Sequence, residues 1–458
     1  MNVPVQEGIR RPPGPKLGPL DYVRMLRGTP VTDLVVEKGF GSADLVHLGM
    51  QGEHYYFALA PDLVCDLLLR LARSTGKGRS TVKSRPLLGD GLLTSEGDLH
   101  RRQRRLIQPA FHGAQIRGYA RVMAEEATRL PARGDWTDGA SRDVATDMAA
   151  VTLRIVGRTL FTTDLSADAS TVTQAATKLI HLHQRSLSTG RQLLGRLPLP
   201  GRRAAQAAAA DLDRVVQRMV TESREHRLSS GAGDSVLAML LAARDEDGEP
   251  MSDRLVRDEV MTLLLAGHET TANALTWTWL LLDQHPAAAA RLHAEVDALP
   301  GPPTVDDLAA LPWTDAVLAE SMRIWPPAWA SGRRILEDVT LGDWPVPAGS
   351  LVSAVQWLTH RDPRWWPDPL EFRPERWLTP EGAYDESAPG QPRGAYFPFG
   401  MGTRVCIGGS FARTEATMVL ATLARDWAPA LVAGHVVKPL PATILRPRGG
   451  LPMVLHRR

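Results

Sequence analysis

At 458 residues with 43% hydrophobic side chains, the chain can bury a large core, and its formal net charge of +2 is too small to argue for nucleic acid. Its two cysteines, Cys65 and Cys406, are too few for a disulfide framework, so a reducing cytoplasm is the default setting. The N-terminus has no apolar run of signal-peptide or membrane-span length, so no membrane anchor is expected.

Taken in chain order, a stiff proline-rich lead-in over residues 10–15 comes first. Two β-like runs, 43–50 and 54–60, flank the polar turn Gln51-Gly52-Glu53 and read as a hairpin. A helix follows from Pro61, with Cys65 in its apolar pattern as a core residue. Residues 78–95 mix Gly, Pro and Ser and read as a mobile loop. Helical periodicity then dominates from Ser95 to about Leu299. Its main interruption is an apolar stretch at 187–201, either a core connector or the lid of an apolar pocket. The longest helical pattern, 251–284, would span about 50 Å at about 1.5 Å per residue. Beyond Pro326 the texture changes to short strands and turns, at 339–344, 351–355 and 452–455. No linker or fixed repeat divides the chain, so 1–458 is expected to be one domain. Within it a β-richer part (1–60) precedes a helix-rich body (61–325) and a mixed part (326–458). The expected class is mainly α with small peripheral β-sheets, α+β.

The chemistry concentrates in 397–409, where Cys406 follows Phe399, Gly402 and Arg404 in a glycine-rich loop and a helical pattern starts near Gly409. A lone cysteine is ordinarily a small buried hydrophobe. The alternative is a thiolate at a helix N-terminus, where backbone N–H groups and the helix dipole favour the anion. Phe399 would then keep water from the sulfur, Gly402 would keep a Cβ clear of a flat macrocycle, and Arg404 would face a carboxylate. Inside the long helical pattern, Gly267 costs about 1 kcal/mol relative to Ala, and Thr270 and Thr271 weaken the run further. Either a second helix packs closely there, or the small residues Ala266 and Gly267 admit a ligand plate beside a groove opened by the threonine hydroxyls. Glu320 and Arg323, at i and i+3, are by themselves an ordinary solvated pair. His100 and Arg104 share one helix face, beside Arg101, Arg102 and Arg105.

The order Phe399, Gly402, Arg404, Cys406, Gly408 resembles the cysteine-loop signature of the cytochrome P-450 family, the haem-thiolate monooxygenases. Ala266-Gly267-His268-Glu269-Thr270 is similar to that family's oxygen-activation motif, and Glu320-Ser321-Met322-Arg323 to its helical Glu-x-x-Arg motif. The resemblance implies a triangular helix-rich prism with haem b held between the long central helix and the cysteine-loop helix. It implies that Cys406 is the axial ligand, with Phe399, Gly408 and Ala266 against the haem. Thr270 would hydrogen-bond dioxygen and Glu269 would belong to the proton relay. Glu320, Arg323 and Arg376 would form a structural lock on the cysteine loop, and His100, Arg104, Arg404 and either Arg333 or Arg334 would face the haem propionates. Many members carry Trp where this chain has His100. Pocket walls would come from 78–95, 187–201, Ala266, Thr271, Ala328, Trp329 and Ile444.

The implied reaction inserts one atom of dioxygen into a bulky apolar molecule such as a terpenoid, carotenoid, fatty acid or polyketide. The run 324–329 followed by Arg333-Arg334 looks similar to members that hydroxylate terpenoids or carotenoids. Electrons would come from a separate ferredoxin- or flavodoxin-type donor and its reductase, docking on Arg101, Arg102 and Arg105. Two other readings share the cysteine loop. A peroxide-using peroxygenase would replace the acid–Thr pair, and a haem-thiolate sensor or electron carrier would need neither relay nor pocket.

Overall fold

One 32-residue helix, Asp253–Gln284, organises the molecule, with the Ser252 hydroxyl accepting from the Leu255 N–H at 3.3 Å to cap its start. Its apolar residues fall on every side (Leu263, Leu264, Leu275, Trp277, Trp279 and Leu281 are all buried), the pattern of a helix enclosed by others rather than lying on a surface. The structure, a computed structural model, describes residues 10–50, 52–132, 136–187, 202–230, 235–244, 248–387 and 389–458. The apolar stretch expected as connector or lid lies outside them from 188 to 201.

The helices that place the site are α1 (Gly97–Ile107), α2 (Val144–Leu160), α3 (Asp253–Gln284), α4 (Pro312–Ile324) and α5 (Gly409–Ala424). In the main core α3 packs against α2, α4 and α5 through residues such as Val151, Leu264, Leu275, Val317 and Val419. The approach of α2 to α3 is close because Gly267 has no side chain: a Cβ there would lie 3.1 Å from Val156 Cγ2.

The larger sheet contains β1 (Leu45–Met50), β2 (Glu53–Ala58), β3 (Thr75–Lys77), β4 (Ser331–Ile335) and β5 (Leu351–Ala354), in the order β1-β2-β5-β4-β3. The β2–β5 pair is parallel and the others antiparallel, with Lys77 of β3 opposite Arg333 of β4. A separate hairpin joins β6 (Pro439–Pro441) to β7 (Leu445–Pro447).

The expected hairpin, long helix and late strands are present. The run 339–344 is two strands rather than one, Val339–Leu341 and Trp344–Val346, reversing at Gly342 with φ +57°. Residues 78–95 do not form a plain loop: they carry the short helices Arg79–Lys83 and Arg85–Leu88, anchored when Asp258 and Glu259 of α3 accept from the backbone N–H groups of Asp90 and Leu92, both at 2.9 Å. Cys65 is only half-buried, its thiol 3.4 Å from the Arg393 carbonyl. Among the described residues no helix is long and apolar enough to cross a membrane.

Candidate functional site

The cysteine loop is folded by its own backbone. The Cys406 N–H donates to the Phe399 carbonyl at 2.9 Å and the Val405 N–H to the Gly402 carbonyl at 3.0 Å. Gly400 and Gly402 both adopt φ +71°. A Cβ on Gly402 would lie 2.4 Å from the Leu68 carbonyl oxygen. That glycine is therefore demanded by the chain beneath the loop and by its left-handed backbone. Among the described residues, Gly408, the residue ahead of α5, has only Phe111 near its missing Cβ, at 3.6 Å, so none of them requires a glycine there.

Phe399 packs beside Gly409, with the Arg413 guanidinium 5.9 Å from its ring centroid. The residue Cys406 keeps exposed surface, yet protein surrounds its sulfur closely. Burial pushes the thiol upward, while the Gly408 N–H and the Arg104 guanidinium favour the thiolate. Two arginines tie the loop to the region of α1: Arg104 donates to the Val405 carbonyl at 2.8 Å and Arg404 to the Ser95 carbonyl at 2.9 Å.

On α3, Ala266 is exposed although most of that helix is buried, and Glu269 and Thr270 are partly exposed. Neighbouring carbonyls here each accept from a side chain as well as serving the helix. Thr270 donates to Ala266 O at 2.8 Å, Asn273 to Glu269 O at 2.7 Å, and Thr152 of α2 to His268 O at 3.1 Å. Such competition loosens a helix locally. Close packing at Gly267 against α2 and open surface at Ala266 therefore coexist in one turn.

Desolvation raises the Glu269 carboxyl to about 7, with Arg446 pulling it down. His268 is fully buried, its Nδ1 2.8 Å from the Leu264 carbonyl, and desolvation lowers it to about 4, so it is neutral. Thr271, expected as a pocket wall, is buried at 3% exposure and faces Glu415 of α5. Burial raises Glu415 well above the carboxylate range, and neither of its oxygens has a hydrogen bond of normal length among the described residues. It is a neutral acid in the core.

The basic residues converge. His100 and Arg104 come from α1, Lys77 and Arg333 from paired strands, and Arg404 from the cysteine loop. Leu68, Ala72, Thr75 and Gly76 complete a recess lined by Lys77, Arg333 and Arg404. Desolvation followed by repulsion from neighbouring cations lowers His100 to about 3, Lys77 to about 7 and Arg333 to about 10. Glu96 is the acid within reach, acting favourably on Lys77 and Arg404. So much positive charge gathered in a desolvated place fits an anionic group, and beside the Cys406 thiol it fits a haem with two carboxylates. Of the two adjacent arginines, Arg333 is in this cluster; Arg334 is exposed and alternates to the other face of β4. Lys77 was not anticipated from the sequence, since only the β3–β4 pairing brings it here.

Glu320 and Arg323 are not a solvated pair. Both are fully buried, and Glu320 accepts from Arg323 Nε and Nη2 at 2.8 Å, the Arg373 N–H at 3.0 Å, Arg376 Nε at 3.2 Å and Trp377 Nε1 at 2.9 Å. The Arg373 and Trp377 donors were also unanticipated.

Of the remaining pocket candidates, Ala328 is exposed and Ile444 partly exposed, while the Trp329 indole donates to the Ala442 carbonyl at 2.7 Å and is partly buried. Arg101, Arg102 and Arg105 are exposed on α1, with Arg101 paired to Asp98.

Residues 35–449 match the model of the family described as Cytochrome P450. The cyclooctatin synthase of Streptomyces melanosporofaciens is 40% identical, over 88% of this chain and 85% of that protein. The cyclooctat-9-en-7-ol 5-monooxygenase of the same organism is 38% identical (91% and 88%), and the pentalenene oxygenase of Streptomyces avermitilis 35% (88% of each). Among solved structures, the haem domain of cytochrome P450DA superposes with a TM-score of 0.79 at 29% identity, covering 96% of this chain and 94% of that one.

Proposed function

The chain belongs to the cytochrome P450 family, and from that premise we propose that it is a terpenoid hydroxylase in which Cys406 supplies the axial thiolate. It is a haem-thiolate monooxygenase with the P450 fold. Haem bound through a thiolate supplies the activation of dioxygen, because the sulfur pushes electron density onto the iron. The protein's own residues do the rest. The Gly408 N–H and Arg104 favour the sulfur as an anion. Lys77, Arg104, Arg333 and Arg404, with neutral His100, receive the propionates. Glu269 holds a proton at a carboxyl poised near neutrality, and the Thr270 hydroxyl stands one residue away to pass it on.

That poised acid beside a threonine carries the reading, because a peroxygenase or an electron carrier needs no proton supply. The chain is proposed to act as one catalytic unit in the cytoplasm, where its two free thiols persist. Its electrons are proposed to come from a ferredoxin- or flavodoxin-type protein docking over Arg101, Arg102 and Arg105. A terpenoid is favoured by relatives whose names describe oxygenation of cyclooctat-9-en-7-ol and pentalenene, and by the apolar candidates Ala266, Ala328 and Ile444. The test is a spectral-shift titration against terpenes, carotenoids, fatty acids and polyketides. Terpenes should give the tightest high-spin shift; a preference for fatty acids would overturn the assignment.

A further inference from the structure

The hairpin β6–β7 is fastened to the rest of the site by its backbone. The Trp277 indole, on α3, donates to the Leu445 carbonyl at 3.2 Å, and the Leu445 N–H donates to the Pro327 carbonyl at 2.9 Å. Across the turn, Trp329 holds the Ala442 carbonyl at 2.7 Å. Leu445 is fully buried. Because side chains alternate along a strand, Arg446 then projects to the side opposite Leu445. Arg446 is thus carried on a strand paired through Leu440 and fastened at Ala442 and Leu445 by two tryptophans. Glu269 lies eight residues before Trp277 on α3, a little over two helical turns away, with Asn273 between them donating to the Glu269 carbonyl at 2.7 Å.

We propose that Arg446 is a positioning residue for the proton supply: the hairpin places its guanidinium against Glu269, and this contact sets both the charge and the aim of that carboxyl. The proposal rests on the reading of Glu269 as the relay acid. The electrostatics agree from both partners, since Arg446 favours ionised Glu269 and Glu269 favours charged Arg446. The other titratable groups near this turn point elsewhere. His268 is buried on the α2 side with its Nδ1 at the Leu264 carbonyl, and Glu415 of α5 faces Thr271. Arg154 of α2 is bound to Glu126 at 3.1 Å, and Asp258 and Glu259 hold the 90–92 backbone nearly three turns earlier.

A guanidinium is also a better choice here than an ammonium for a fixed contact, because its planar fork holds direction as well as charge. Without it, desolvation acts on Glu269 unopposed and the acid stays protonated to higher pH.

The test uses the haem-loaded protein and its Arg446→Met, Arg446→Lys and Glu269→Gln variants. Infrared titration in the resting state reads the protonated Glu269 carbonyl band, with Glu269→Gln as the blank. Arg446→Met should move its midpoint upward by about one pH unit, and Arg446→Lys should recover most of that shift. In parallel, hydrogen peroxide released per electron pair from a surrogate ferredoxin and its reductase is followed against pH. Its midpoint should move the same way in Arg446→Met. A Glu269 band that titrates identically in the parent and Arg446→Met overturns the inference. Peroxide release unchanged in Glu269→Gln overturns instead the relay reading beneath it.

Discussion

Removing the Cys406 thiol separates ligation from packing, because it deletes one small side-chain atom from a loop folded by its own backbone hydrogen bonds. Cys406→Ala should fold, yet lose the red-shifted Soret band of the reduced carbon monoxide complex; a retained band would mean that another group holds the iron. Gly402→Ala acts differently. Its left-handed backbone alone costs about 1–2 kcal/mol, and the new Cβ meets the Leu68 carbonyl at 2.4 Å. Thermal melting should show that loss together with reduced haem content, since the loop that presents Cys406 can no longer rest on the turn below. Of these residues, Cys406, Glu269 and Thr270 were legible in the sequence because each sits in a short run whose spacing carries its meaning. Arg446 and Glu415 were not. Each is an ordinary residue until the fold sets it against α3, and no local signal distinguishes it from a solvated neighbour.

At the scale of elements, the buried Glu320 shows how a loop is held by a helix it never touches in sequence. A carboxylate with no exposure is tolerable only when fully paired. Here α4 supplies Arg323, and the segment ahead of the cysteine loop supplies the Arg373 N–H, Arg376 and Trp377. Glu320→Ala strands the fully buried Arg323 and should cost about 3–5 kcal/mol. Arg376→Ala leaves the other donors in place and should cost about 1–3 kcal/mol. Urea unfolding of the two variants checks the order; equal losses would show that the arginine, not the carboxylate, is the centre of the lock. The sequence suggested three members because the Glu-x-x-Arg spacing and one later arginine are visible along the chain. The indole and amide donors became visible only with the turn at Pro374–Trp377 in place. The same limit explains 78–95: its Gly and Pro content spelled a loop, whereas Asp258 and Glu259 of α3 supply the acceptors that order it.

Across the whole molecule, the gathered cations are the clearest product of tertiary structure. Helix α1, strands β3 and β4 and the cysteine loop deliver Arg104, Lys77, Arg333 and Arg404 to one place, where burial and mutual repulsion weaken their charged forms. Lys77 bears the largest part of this, falling to about 7, so as pH drops from the ordinary lysine range toward 7 the protein without a facing anion loses stability. For haem binding the sense is the opposite. A haem carboxylate raises Lys77, so the stabilisation is present at low pH and is lost as pH rises through the raised value. Haem release to a scavenging protein should therefore accelerate on the alkaline side in the parent. Lys77→Met should release haem about tenfold faster at pH 7, the equivalent of one charge-assisted hydrogen bond of about 1.5 kcal/mol, and should lose the alkaline acceleration. A variant that releases haem more slowly, or keeps the parent's pH dependence, would place Lys77 outside the propionate site. Strand pairing put it there: Lys77 faces Arg333 across more than half the chain's length, and the nearby Glu96 offsets the repulsion only in part, which leaves the place suited to an anionic group.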